Sequence, residues 1–481
     1  MKRKLLGNIG LSLLLAASVT VLSGCGGSKE GSGSGTSGST GGTSAGAAQS
    51  VEQAGEGMGE KITLRYSFWG STNEKDAITK SCEAFMEQNP DIEVELIHIP
   101  ADYEAKLSAM IAGGEEPDLA NLKDFFAVPL AESGKLYNIF DLMDQDEEID
   151  REDYLQFAYR YFTPDKAYGL NTAGELFAMF YNKELFEAAG VPGLPDSIEE
   201  ALTMDEFIQL AKQLTLDGAG RNAADPAFDP SDIVQYGLMF DFGAQQYMGA
   251  VYSNEGSYVN DDGTKWTLNE GPAVEALQTI SDLVNVHHVA PNPAELKALP
   301  SLAVALQTNK AAMIWAGAWV ALDLGLGETE FDVGVLPVFK KGVYATCPAQ
   351  GTAGIFASTK HPEETFRLWK WMMDPKNSID LFASGLWMPI LADYYTDEAL
   401  LNTWATVQPA HPSGYIGSHV DVVLADGVKA NPSSYVKNYT EINALVTPAL
   451  ESAFLGNESV KEALDRIAPD VEKLLSGRYD R

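Results

Sequence analysis

"KITLRYSFWGSTNEKDAITKSCEAFMEQNPDIEVELIHI", residues 61–99, decides the fold class. Lys61–Gly70 is rich in β-branched and aromatic residues and stops at a glycine, which predicts a strand. In the next stretch Ile78, Cys82, Phe85 and Met86 recur at helical spacing, and Asn89-Pro90 is a stop signal. "IEVELIHI" (92–99) then reads as a second strand. Working outward, "DYEAKLSAMIAGG" (102–114) is a helix with a glycine stop, and "PDLANL" (117–122) is a third short strand. An order of strand, helix, strand, helix, strand predicts a parallel sheet covered by helices, an α/β fold.

Further along, Thr203 with Glu206, and Ser459 with Glu462, form capping-box patterns ahead of apolar helical runs. Pro362 suits the first turn of a helix that uses Phe366, Trp369 and Met373. Residues 61–481 exceed what one core of about 250 to 300 residues holds, so two lobes are expected. Hydrophobic residues at 45% and aromatics at 10% suit a well-packed globule. The net charge of −35 argues against nucleic acid and anionic lipid headgroups as partners. Besides Cys25 only Cys82 and Cys347 occur, with no CxxC pattern and no Cys/His cluster, so no metal site and no cofactor are expected. Two buried thiols are the expectation for that pair, with a disulfide as the alternative.

At the other end, Lys2, Arg3 and Lys4 precede an apolar run to Leu22, the layout of a secretory signal peptide over residues 1–24. The stretch Leu22-Ser23-Gly24-Cys25 resembles the lipobox of bacterial lipoproteins, which implies a lipid on Cys25. Residues 26–60 hold twelve glycines and seven serines, too little apolar surface to repay ordering. They read as a tether of roughly 30 to 35 Å root-mean-square reach. The expected location is extracytoplasmic, anchored to the cell membrane through Cys25.

The order of "ITLRYSFWG", "FMEQNPDIEVEL", "YEAKLSAMIAGGEEPDL", "AMFYNKELFEAAGV", "TMDEFIQLAKQLT", "NKAAMIWAGAWV", "FDVGVLPVFKKG" and "STKHPEETFRLWKWM", closing with "LGNESVKEALDRI", resembles the extracellular solute-binding proteins of bacterial ABC importers. The likeness is to the large sugar-binding class that includes maltose-binding protein, and it runs over nearly all of 61–476. It implies a two-lobe periplasmic-binding-protein-like fold, each lobe a mostly parallel sheet with flanking helices and the ligand in a cleft between lobes. The matching segments place crossings near 172, 337 and 376. One lobe is then 61–172 with 337–375, and the other 173–336 with 376–476. Cys82 and Cys347 share a lobe in that division.

Sugars present flat C–H faces and rings of hydroxyls, so a site needs aromatic plates together with carboxylates or amides. Trp69 closes the first strand, where open α/β sheets receive ligands. Ser71 stands where the maltose binder has a sugar-contacting acid. Glu175, six residues before Tyr181, matches a sugar-contacting glutamate. Asp124 is expected to project into the cleft, while Asp118 is given a structural role at a strand end. "MFDFGAQQY" (239–247) takes the place of a sugar-binding loop, which nominates Asp241, Gln245 and Tyr247. Trp319 matches a stacking tryptophan, with Trp315 left to the core. Trp387 in "GLWMP" is a loop candidate, and Tyr439 replaces a plate that aligns with Asn443.

The resulting expectation is a monomeric, lipid-anchored receptor with no catalytic residues, which captures a sugar or oligosaccharide and hands it to ABC transporter permease subunits. A secreted lipoprotein glycoside hydrolase and a binder of another solute, such as a polyamine, are the alternatives.

Overall fold

The computed structural model describes residues 61–481. The leader, Cys25 and the Gly/Ser tract lie outside the described residues. The opening stretch folds as its pattern predicts. Strand β1 (Ile62–Phe68) buries Leu64, Tyr66 and Phe68. Helix α1 (Thr72–Gln88) buries Ile78, Cys82 and Phe85 against it. β2 (Ile92–His98), α2 (Tyr103–Gly113) and β3 (Leu119–Leu122) follow, and α2 stops at Gly114, whose φ of 72° is the left-handed value glycine tolerates. Both β2 and β3 pair with β1 in parallel.

Two sheets organise the molecule. The strands after β3 are β4 (Tyr159–Thr163), β5 (Lys166–Asn171), β6 (Phe177–Asn182), β7 (Leu216–Asp217), β8 (Ile233–Phe240), β9 (Ala311–Gly317), β10 (Phe331–Gly334) and β11 (Thr352–Ile355). One sheet runs β2-β1-β3-β11-β5-β4, the other β10-β6-β9-β8-β7. The expectation of mostly parallel sheets is corrected. Among the described residues only β1–β2, β1–β3 and β8–β9 are parallel pairs. β11 returns to the first sheet from the second and enters antiparallel to β3 and β5, and in the second sheet β6 runs antiparallel to both its neighbours, β10 and β9.

The helix Met204–Leu214 and the helix Val460–Leu474 both start on the expected capping boxes. Pro362 opens a helix that buries Phe366, Trp369 and Met373. Cys82 and Cys347 are both free and buried. Burial pushes the Cys82 thiol up to about 12.

Three strands of chain meet between the sheets. Thr172 N donates to Gly351 O (2.7 Å), Ala349 N to Glu175 O (2.8 Å) and Gly174 N to Met388 O (2.8 Å). Thr172, near which the sequence reading places a crossing, makes the first of these bonds. Near 337 the chain still bonds on the second side, with Val338 N donating to Leu202 O (2.9 Å). Near 376 the helix Pro375–Ala383 still packs on α1, where the hydroxyls of Ser81 and Ser378 lie 2.8 Å apart. The second and third meeting points therefore fall at 348–351 and 386–389.

Candidate functional site

The end of β1 builds the first wall of a cleft of about 640 Å³ that touches both sides of the molecule. Trp69 is half-buried there and meets Tyr103 edge-on at 5.2 Å. Gly70 has φ of 125°, and a Cβ on it would fall 1.8 Å from Glu74 Oε2, so glycine is required for both conformation and space. Ser71 does line the cleft, but its hydroxyl caps α1 by accepting from Glu74 N, and Glu74 Oε2 accepts from Ser71 N at 2.8 Å. A serine in place of an acid thus starts a helix. Its partner Glu74 brings a carboxylate to the cleft that the sequence reading had not nominated, although Ser-x-x-Glu after a strand is a capping-box signal. Lys123 Nζ lies 5.7 Å from the Trp69 ring centroid and 2.9 Å from Glu104 Oε1.

From the second sheet, β9 ends at Gly317 and delivers Trp319. Its ring meets Phe177 edge-on at 5.5 Å and lies over Gly317, where a Cβ would come 1.8 Å from the ring. Trp319 is half-buried and faces the cleft, whereas Trp315, two pleats earlier in period, is buried beside Phe240 at 5.7 Å. Gln245 and Tyr439 also line the cleft, as does Asn443, and Trp387 closes it near the crossings while meeting Phe382 edge-on. Thr172 lines it too; it is only 6% exposed and its Oγ1 has no partner among the described residues.

Glu175 sits at the first crossing. Removal from water pushes its carboxyl well above the ordinary carboxylate range, and the neighbouring Glu74 adds to this. Burial likewise raises Glu74 to about 7, opposed by its bond to the Ser71 backbone and helped by Asp323. Two carboxyls in one cleft, both held toward the protonated form, can donate as well as accept hydrogen bonds.

Three nominated residues are elsewhere. Asp124 is fully buried, facing away from the cleft that its neighbour Lys123 lines. Arg160 Nε pairs with it at 3.0 Å and Ser433 Oγ donates to it at 2.9 Å, so it is a core ion-pair member. Asp241 and Tyr247 line a separate, smaller cavity. Of the loop's three nominated residues only Gln245 lines the cleft, beside Gly243 and Ala244, because the helix Ala244–Ser253 starts within the loop and turns Tyr247 inward. Asp118 is structural as expected, accepting from Arg65 N at 2.8 Å. Tyr103 and Phe125 are cleft residues that sequence reasoning passed over. Both follow strand ends of the first sheet, the place where open sheets receive ligands.

No helix among the described residues is long and apolar enough to cross a bilayer. The cleft's setting agrees with the comparisons to known proteins. Residues 69–379 match the family described as bacterial extracellular solute-binding protein. An arabinooligosaccharide-binding protein of Halalkalibacterium halodurans is 25% identical over 231 residues, 46% of each chain. Among solved structures, an ABC substrate-binding protein of Listeria monocytogenes in complex with cycloalternan superposes with a TM-score of 0.70 at 22% identity, covering 86% of this chain and 98% of that one. A maltose-bound T. maritima protein gives 0.68 at 19% identity, with coverages of 86% and 100%. The GacH receptor of Streptomyces glaucescens, solved unliganded and with acarbose, gives 0.65 at 20%, with coverages of 86% and 99%. The two-lobe fold is the one these structures share, and this chain belongs to the bacterial extracellular solute-binding protein family.

Proposed function

We propose that the protein is a lipid-anchored, extracytoplasmic receptor that binds a sugar or oligosaccharide in the cleft and delivers it to an ABC transporter permease, acting as a monomer without covalent chemistry. The observation that carries this reading is the cleft itself. Trp69 on one wall, Trp319 on the other and Trp387 near the crossings surround Glu74 and Glu175. Rings supply plates for sugar C–H faces, and the carboxyls meet hydroxyls. The relatives lend support: by their descriptions they bind arabino-oligosaccharides, cycloalternan, maltose and acarbose.

In this reading the lobes are 61–172 with 351–386, and 176–348 with 389–476, closing about the three meeting points. The leader and lipobox pattern of residues 1–25 support export and anchoring. A thermal-shift screen of mono- and oligosaccharides tests it, since a ligand that binds only the native state stabilises it by RT ln(1 + [L]/Kd). At least one sugar raises the midpoint; a flat response across pentoses, hexoses and their oligomers rejects a sugar cargo. The raised carboxyls of Glu74 and Glu175 favour one second reading, a glycoside hydrolase with an acid and a partner carboxylate. Chromatography of a bound oligosaccharide after prolonged incubation separates the two: intact ligand fits a receptor, shortened products a hydrolase.

A further inference from the structure

Beside the cleft lies a second cavity of about 450 Å³. It shares Gly243, Ala244 and Asn443 with the cleft, so the two spaces adjoin across one short partition. Its walls differ in character. Phe242 and Phe454, with ring centroids 5.1 Å apart, stand with Leu296 and Leu450. The charged Lys297 and Glu451 pair with each other at 3.3 Å and are largely exposed, which places them at the rim. Asp241 and Thr447 line it from exposed positions, and two more polar side chains lie deeper. Tyr247 is 4% exposed, lines this cavity, and its hydroxyl has no side-chain partner among the described residues. Asn443 Oδ1, on the partition, is buried and also unpartnered.

Where the wall is phenylalanine and leucine, and only Tyr247 and Asn443 offer hydrogen bonds away from the exposed Asp241 and Thr447, another pyranose would leave most of its hydroxyls without partners at a cost. Such a wall suits an apolar ring joined to a sugar by a short polar link. We infer that the ligand is a glycoside: its sugar lies in the cleft, and an apolar, ring-sized aglycone crosses the Asn443 partition into this chamber. Tyr247 and Asn443 then meet the polar atoms of the link or of a ring substituent. The inference rests on the sugar reading above and specifies its substrate class.

The test compares matched methyl and phenyl glycosides of maltose and of arabinose by calorimetric titration on the purified protein. The phenyl member of a pair binds about tenfold or more tightly, because burying a ring adds apolar area at a similar polar cost. Thr447→Phe places a ring into the chamber from an exposed helix position, and Leu296→Ser removes apolar wall from a half-buried one. Both variants lose the phenyl advantage and keep the methyl glycoside's affinity. Equal affinity of the methyl and phenyl members overturns the chamber while leaving the sugar reading standing. A phenyl advantage that survives in both variants also overturns it, since the ring is then held elsewhere. If neither sugar binds in either form and the wider sugar screen is flat, the sugar reading fails and the glycoside falls with it.

Discussion

Trp319 forms part of the cleft wall delivered by the second sheet. Its ring stands on Gly317 and Phe177, with the other face toward the cleft. Trp319→Ala is expected to weaken sugar binding at least about tenfold, as 1.4 kcal/mol is one decade. Urea unfolding should show a loss well under the roughly 3 to 5 kcal/mol of a truncated core tryptophan; a loss of that size with unchanged affinity would return the residue to the core. Glu74 gives a pH dependence with a definite sign. Its carboxyl is held at about 7 in the fold against an ordinary 4.5, so between those values the native state binds more protons than the unfolded chain. Stability must then fall as pH rises through that window, by at most about 1.4 kcal/mol per unit from this group. Glu74→Gln keeps the capping-box geometry and should flatten the difference between denaturation curves at pH 5 and pH 8. A slope identical to that of the parent protein would show that Glu74 is not the group responsible. Trp69 and Trp319 were legible in the sequence because a strand pattern ending in glycine marks a sheet edge. Glu74 was not singled out, because as one acid among 68 it gains meaning only through its bond to Ser71.

At the scale of elements, Asp124 ties three pieces together. It starts helix α3 (Asp124–Glu132), pairs with Arg160 of β4 and accepts from Ser433 of the segment Pro432–Ser434. Asp124→Ala leaves a buried guanidinium without its charge partner, which costs roughly 3 to 5 kcal/mol in chemical denaturation. The double variant with Arg160→Met should recover much of that loss, and sugar affinity should not depend on Asp124 in any variant that folds. A selective loss of affinity at full stability would restore Asp124 to the cleft. The helices and β1 to β3 were readable from periodicity and capping boxes, which are local signals. The direction of β5, β6, β10 and β11 was not. Antiparallel entry is fixed by the path between sheets, and no window of sequence carries that path.

At the scale of the molecule, the three meeting points at 172–176, 348–351 and 386–389 form one narrow junction between the sheets. Closure about it should compact the protein on saturation with a sugar from the screen, read as a smaller radius of gyration in small-angle scattering; identical profiles would argue for a rigid cleft. On the proposed lipid anchor, Cys25→Ser should leave the chain unprocessed or release it from the membrane fraction; wild-type fractionation and mobility would reject the lipobox. What the sequence determined by itself was local and repetitive: the α/β alternation, the helix starts and the family order of segments. Each is written in residues a few positions apart, within reach of backbone periodicity and side-chain capping. Which way Asp124, Lys123 and Tyr247 point, where the chain crosses between lobes, and that a second chamber adjoins the cleft were decided by tertiary structure alone. Those outcomes depend on groups tens to hundreds of residues apart, such as Arg160 and Ser433 around Asp124, competing for the same buried space.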